Sequence, residues 1–158
     1  MGPRSNGGAF LERNNLPALP SANLGPAMPD PFYVYVVDDD DSVRKALCRL
    51  LHASGYEVKT YASPERFLGE LAPGSSGCLI LDMTMPGMTG LQVQERMRKM
   101  GIALPVIAVS AHDDNQARES ARKLGASFFL HKPVDDQALI DSISWVCESR
   151  AQPTAERR

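Results

Sequence analysis

The sequence predicts an α/β protein: five βα units forming a doubly wound, five-stranded parallel sheet with helices on both faces, behind a disordered N-terminal tail. Three observations carry this. From Phe32 onward, short β-rich apolar runs alternate with stretches of helical period. Several of the runs, such as FYVYVV and CLIL, are apolar throughout, as strands covered on both faces are. Residues 1–31 differ from the rest. They hold six of the 12 prolines (Pro3, Pro17, Pro20, Pro26, Pro29, Pro31) and four of the 12 glycines (Gly2, Gly7, Gly8, Gly25), with no sustained period.

The first strand is FYVYVV, residues 32–37. Val43, Ala46, Leu47, Leu50 and Leu51 then fall at i, i+3, i+4, i+7 and i+8, the stripe of an amphipathic helix, and Gly55 stands where its C-terminal cap belongs. YEVKTY reads as the second strand. SPERFLGEL reads as a short helix with Ser63 as N-cap and Pro64 at the first helical position. The turn-rich PGSSG leads to the third strand, CLIL, which ends at Asp82. A helix over about 91–100, the strand PVIAV, a helix over about 115–124, the strand SFFL and a last helix over about 135–148 complete the order. In that last helix, a wheel of about 100° per residue gathers Leu139, Ile140, Ile143, Val146 and Cys147 on one side. Trp145, the only tryptophan, falls opposite, beside Asp141 and Glu148, and is expected in solvent.

Composition excludes several classes of function. A chain of 158 residues, 43% hydrophobic and 23% charged, suits one globular domain of ordinary size. A net charge of −2 gives no electrostatic footprint for nucleic acid, so no direct nucleic-acid binding is expected. No apolar stretch approaches the roughly 18 residues that span a bilayer, and the N-terminus lacks the charged and apolar regions of a secretory signal. A cytoplasmic location without membrane attachment is the expectation. Cys48, Cys78 and Cys147 are odd in number and widely spaced, which suits small buried hydrophobes better than a disulfide frame or metal site.

The stretch VVDDDDSVRKAL places four aspartates, Asp38 to Asp41, directly after a buried strand. Two carboxylates about 4 Å apart repel by roughly 4 kcal/mol at an effective dielectric near 20, so a positive partner is called for. In a doubly wound sheet, ligands bind beyond the carboxyl ends of the strands, where strand order reverses. The residues at those ends are Asp38 and Asp39, Asp82, Ser110, and Lys132. Three carboxylates can hold a hard divalent cation, Mg²⁺, through oxygen and leave positions for phosphate oxygens, while the lysine and hydroxyl serve the rest of a phosphoryl group. Side chains alternate at a strand end, so not all four aspartates share that task. Asp38 and Asp39 are the metal candidates; Asp40 and Asp41 precede the helix, where carboxylates cap and complement its dipole.

VVDDDDSVRKAL, LDMTMPGMTG, VSAH and HKP, in this order on five βα units, resemble the receiver domain of bacterial two-component response regulators, most closely the nitrogen-fixation and nodulation type. The resemblance covers about residues 32–150, leaving tails at 1–31 and 151–158. It implies a flavodoxin-like (βα)5 fold and a signalling phosphoacceptor that catalyses only its own phosphoryl transfer and dephosphorylation. Asp82 would receive the phosphoryl group from a histidine kinase or phosphotransfer protein. Asp38 and Asp39, with Asp82 and the backbone carbonyl of Thr84, match the Mg²⁺ site. Ser110 matches the hydroxyl that follows the phosphoryl group, Lys132 the lysine that contacts it, and Phe129 the aromatic rotamer switch. Pro133 matches a proline whose preceding bond is usually cis, and His112 the position that tunes phosphate lifetime. Val134 departs from the phenylalanine often found there. The face of helix four, strand five and helix five is implied as a possible homodimer or partner surface.

Plainer roles compete at some positions: Ser110 also suits a helix cap, and Phe129 also suits core. His52 and His131 are expected bystanders. A rival from another class is the D-x-D-x-[ST] pattern of haloacid-dehalogenase-type phosphohydrolases, with Asp38 as nucleophile, Asp40 as general acid, Ser42 completing the pattern and Ser110 and Lys132 as later motifs. Those enzymes need a further acidic pair on a strand after the lysine, whereas Asp135 and Asp136 open a helix here, and Asp82 would have no role. Receivers of the nitrogen-fixation type usually precede a DNA-binding helix-turn-helix domain, yet only AQPTAERR follows the last helix. The expectation is a stand-alone receiver or the receiver part of a truncated DNA-binding transcriptional regulator.

Overall fold

The protein is seen in a computed structural model that describes residues 32–112 and 114–151, the side chains of 150 and 151 excepted. Five strands and five helices alternate: β1 (Tyr33–Val37), α1 (Asp41–Ala53), β2 (Glu57–Tyr61), α2 (Pro64–Glu70), β3 (Gly77–Asp82), α3 (Gly90–Lys99), β4 (Val106–Ser110), α4 (Asn115–Lys123), β5 (Ala126–His131) and α5 (Asp136–Ala151). The strands form one parallel sheet in the order β2-β1-β3-β4-β5. β1 lies between β2 and β3, so strand order reverses there and a crevice opens at its carboxyl end.

Strand alternation explains why the central runs are wholly apolar. In β1, Tyr35 and Val37 face a core closed by α2, α3 and α4, while Val34 and Val36 face a second core closed by α1 and α5. β3 and β4 are buried at every position. The helix starts follow local chemistry. Asp40 caps α1, Ser63 caps α2 ahead of Pro64, and Asp114 caps α4. Thr89 and Gln92 form a reciprocal capping box on α3. β3 starts at a glycine for a steric reason: at Gly77 φ is +141°, and a Cβ there would collide with the carbonyl oxygen of Tyr33 on β1.

The structure adjusts several expectations. α1 stops at Ala53 with Ser54 as its C-cap, and Gly55, at φ +94°, stands one position further on. Of its apolar stripe only Leu51 is fully buried; Val43, Leu47 and Leu50 are half-buried and Ala46 is exposed, and a cavity separates Val43, Ala46 and Leu47 from Asp136 and Leu139 of α5. β5 extends SFFL by one residue at each end, and α5 runs on to Ala151. Leu139, Ile143 and Val146 are buried as the wheel predicts, with Ile140 and Cys147 half-buried. Trp145 is 52% exposed, yet its ring packs edge-on against Phe128, centroids 5.5 Å apart. Cys78 is buried, Cys48 and Cys147 are half-buried, and none of the three is in a disulfide. Val134 packs in the α1–α5 core. Among the described residues no helix is long and apolar enough to cross a membrane. The tails expected at 1–31 and, beyond Ala151, at 152–158 lie outside the described residues.

Candidate functional site

Sheet pairing alone brings the site together. Val37 pairs with Leu81, so Asp38 and Asp82 follow side by side on adjacent strands. Asp82 pairs with Val109, which sets Ser110 one step beyond. Ser110 pairs with His131, and its carbonyl accepts the Lys132 N–H at 2.8 Å. Four strand ends thus deliver their side chains to one rim, because parallel strands end on the same edge.

Asp38 and Asp82 are each only 4% exposed, whereas Asp39 is exposed. The three offer one carboxylate oxygen each within 4.8 Å of one another. Such a donor set, all oxygen and without His or Cys, fits a hard divalent cation. Asp38 is anchored on both oxygens: Oδ1 accepts the Asp40 N–H at 2.9 Å and Oδ2 accepts from Lys132 Nζ at 3.0 Å. Asp82 Oδ1 accepts from the N–H and hydroxyl of Thr84 at 3.1 and 3.3 Å. Its Oδ2 faces Lys132 Nζ at 3.6 Å.

Burial pushes the Asp82 carboxyl above its ordinary range; the Thr84 N–H pulls it back, and the negative charge of Asp38 pushes it further up. Burial alone would lower the Lys132 ammonium, but the hydrogen bond and charge of Asp38, followed by Asp82, outweigh it and hold the lysine above its usual value. The lysine is therefore a permanent cation in a site crowded with carboxylates.

The four aspartates divide as follows. Asp40 Oδ1 accepts from Ser42 N (2.9 Å), Ser42 Oγ (2.7 Å) and Val43 N (3.3 Å), and the Ser42 hydroxyl and these N–H groups hold its carboxyl below the usual range. Asp41 does not cap. It pairs with Arg44 at 2.9 Å and Lys45 at 3.1 Å, one turn on. Arg44 also donates from Nη1 to the Asp38 carbonyl at 2.7 Å. Sequence reasoning missed Arg44 and the two Thr84 donors. The signal for Arg44 was a cation in the first turn of a helix, where the dipole disfavours it, three residues after an aspartate.

Ser110 is buried, and its Oγ accepts the His112 N–H at 3.0 Å. Phe129 is half-buried against the α2–α3–α4 core, with the Arg118 guanidinium 5.0 Å from its ring centroid. The Lys132–Pro133 bond is cis. His112, His131 and His52 are exposed, His52 lying 3.6 Å from the Cys48 sulfur. A cavity of about 440 Å³ between α1 and α5, lined by Val43, Leu47, Val134 and Leu139, reaches Asp38 and Asp82. Among the described residues no strand follows Lys132. Asp135 instead accepts the Ala138 N–H at 2.8 Å and Asp136 opens α5, so the second acidic pair of the phosphohydrolase pattern is not on a strand.

Residues 34–144 match the family described as response regulator receiver domain. The transcriptional regulatory protein FixJ of Azorhizobium caulinodans is 40% identical over 116 residues, covering 73% of this chain and 55% of that protein. Nodulation protein W of Bradyrhizobium diazoefficiens is 37% identical over 110 residues, 70% of this chain and 48% of that protein. This chain thus spans about half the length of these relatives. Among solved structures, response regulator StyR superposes with a TM-score of 0.72 at 41% identity, covering 77% of this chain and 61% of that one. The FixJ-N crystal structure gives 0.69 at 33%, covering 74% and 94%.

Proposed function

Because this chain belongs to the response regulator receiver domains of two-component systems, we propose that the Asp82 carboxylate is its phosphoacceptor, charged in the cytoplasm by a histidine kinase or phosphotransfer protein. The observation that carries this is the setting of Asp82. It is buried at the end of β3, with two further carboxylates within 4.8 Å and an ammonium 3.6 Å from its Oδ2.

In the transfer, an Asp82 oxygen attacks phosphorus, the new P–O bond forms as the donor's P–N bond breaks, and the leaving imidazole keeps the electron pair. Asp38, Asp39, Asp82 and the Thr84 carbonyl would hold Mg²⁺, which neutralises charge on the phosphoryl oxygens. Thr84 keeps Asp82 oriented through its two hydrogen bonds. Lys132, already between Asp38 and Asp82, meets an incoming phosphoryl oxygen without leaving the site. Ser110 exchanges its bond from the His112 N–H for one to the phosphoryl group, and Phe129 turns inward behind it.

The face of α4, β5 and α5 then changes shape and engages a partner or a second copy. Trp145 and Phe128 supply its apolar part. Asp141 and Glu148 would meet basic residues of α4 across it, such as Arg118, Arg122 or Lys123. A transcriptional output in the whole protein rests on the likeness to longer relatives named as transcriptional regulators.

With Mg²⁺ and acetyl phosphate the protein should gain one phosphoryl group, and Asp82→Asn should abolish it, as read by intact mass and hydroxylamine-labile labelling. Stable labelling of the Asn variant, at Asp38 or elsewhere, would refute the assignment.

A further inference from the structure

The turn between β1 and α1 consists of Asp38, Asp39 and Asp40. It carries the exposed carboxylate of Asp39 beside the buried carboxylates of Asp38 and Asp82. Three like charges push such a turn outward, so its position depends on what ties it down. Asp38 and Asp40 are both tied by their side chains, the first to Lys132 and the Asp40 N–H, the second to the first turn of α1. The Asp38 main chain is tied by Arg44.

Arg44 is the fourth residue of α1, where a cation opposes the helix dipole. It is held there by a two-armed grip: Nη1 donates to the Asp38 carbonyl at 2.7 Å and Nη2 to Asp41 Oδ1 at 2.9 Å. Its side chain is only 15% exposed although that of Asp41 is 65% exposed, so the guanidinium lies over the turn rather than in solvent. The planar fork presents two donors in fixed directions, one for a carbonyl and one for a carboxylate, which a lysine ammonium does not reproduce.

From this geometry we infer that Arg44 is a positioning residue for the divalent-cation site, its fork locking the β1–α1 turn so that Asp39 stands with Asp38 and Asp82 around the ion. The inference rests on reading those three carboxylates as the Mg²⁺ site. Its sign can be tested because two effects of Arg44 oppose each other. As a nearby positive charge it repels the ion, so removal would tighten Mg²⁺ binding. As a clamp it orders the ligands, and loss of such outer supports typically weakens metal binding by about 10- to 100-fold.

The test compares Arg44→Lys, which keeps the charge and loses the fork, with Arg44→Ala, which loses both. Mg²⁺ binding is measured by isothermal titration calorimetry on the full chain, and Asp82 phosphorylation by acetyl phosphate is followed against Mg²⁺ concentration. The expected result is about tenfold weaker Mg²⁺ binding in Arg44→Lys and a similar half-saturation shift in the rate curve. The rate at saturating Mg²⁺ should stay within about twofold of the parent's, because the ion, once bound, restores the turn. Wild-type affinity in the lysine variant would overturn the clamp, whatever the alanine variant, which also loses the repelling charge, shows. If the alanine variant fails to fold, the lysine variant still decides. A parent that binds no Mg²⁺ would remove the site reading, and the inference with it, whereas a binding parent with unaffected variants removes the inference alone.

Discussion

Asp82 holds a carboxylate where burial works against its charge. Its folded-state value lies above the unfolded one, so between the two the folded chain binds more protons, and metal-free stability falls as pH rises through that window. At neutral pH the ionised group therefore costs stability. Asp82→Asn should raise the melting midpoint in chelator by a few degrees, the shift that an ordinary point-mutation effect of about 1 kcal/mol produces in a domain of this size. Excess Mg²⁺ should narrow or reverse the gap, since the parent binds the ion more tightly. No gain in chelator would mean that Lys132 and Thr84 fully compensate the burial. The repulsion among carboxylates that the run Asp38 to Asp41 implies is relieved when one of them is removed. Asp39 is exposed, so water screens its share of that repulsion, whereas Asp38 and Asp82 are buried. Lys132 has the same slope, its folded-state value also being raised, but here the charged form is the favoured one: the stabilisation is present below the usual lysine range and is lost as pH climbs through the raised value. That Asp82 would lie at a strand end was legible in CLIL followed by Asp; its protonation balance was not, since Asp38 and Lys132 come from other strands.

Elements, unlike charges, were largely readable, because helix caps and strand runs are local. Ser63 with Pro64 marked the start of α2, and the aspartates after FYVYVV marked the start of α1. Burial of each helix was less readable, since a stripe says which face is apolar and not how much of it a neighbour covers. Ala46 shows this: it lies on the stripe of α1 and is exposed. β5 carries the open question of whether Phe129 is a switch or core. Its ring is half-buried, with the Arg118 guanidinium from α4 against its face, so it is not locked on all sides. Phe129→Ala should leave acetyl-phosphate labelling nearly intact and abolish phosphorylation-dependent association followed by light scattering. An equal loss of both would assign the ring to the core.

At the scale of the molecule, the outer side of α5 is the place where association should be visible. Trp145 is half in solvent and rests on Phe128, the two rings forming an apolar patch beside the edge strand β5. Its fluorescence should be red-shifted and open to acrylamide in the unphosphorylated monomer, then shift blue on phosphorylation if α4, β5 and α5 form an interface. A blue-shifted, quencher-resistant monomer would overturn the exposure, and an unchanged spectrum on association would move the interface elsewhere. The sequence by itself determined the βα order, the residues at each strand end and the exposed side of α5. These follow from periods of 2 and 3.6 and from turn chemistry, which act over a few neighbours. Only the tertiary structure decided that Lys132, 94 residues from Asp38, bonds that carboxylate more closely than Asp82. It likewise decided that Arg44 turns back to the Asp38 carbonyl and that Trp145 finds Phe128. Such choices depend on side-chain direction and on distances between segments packed from afar, which a one-dimensional pattern does not encode.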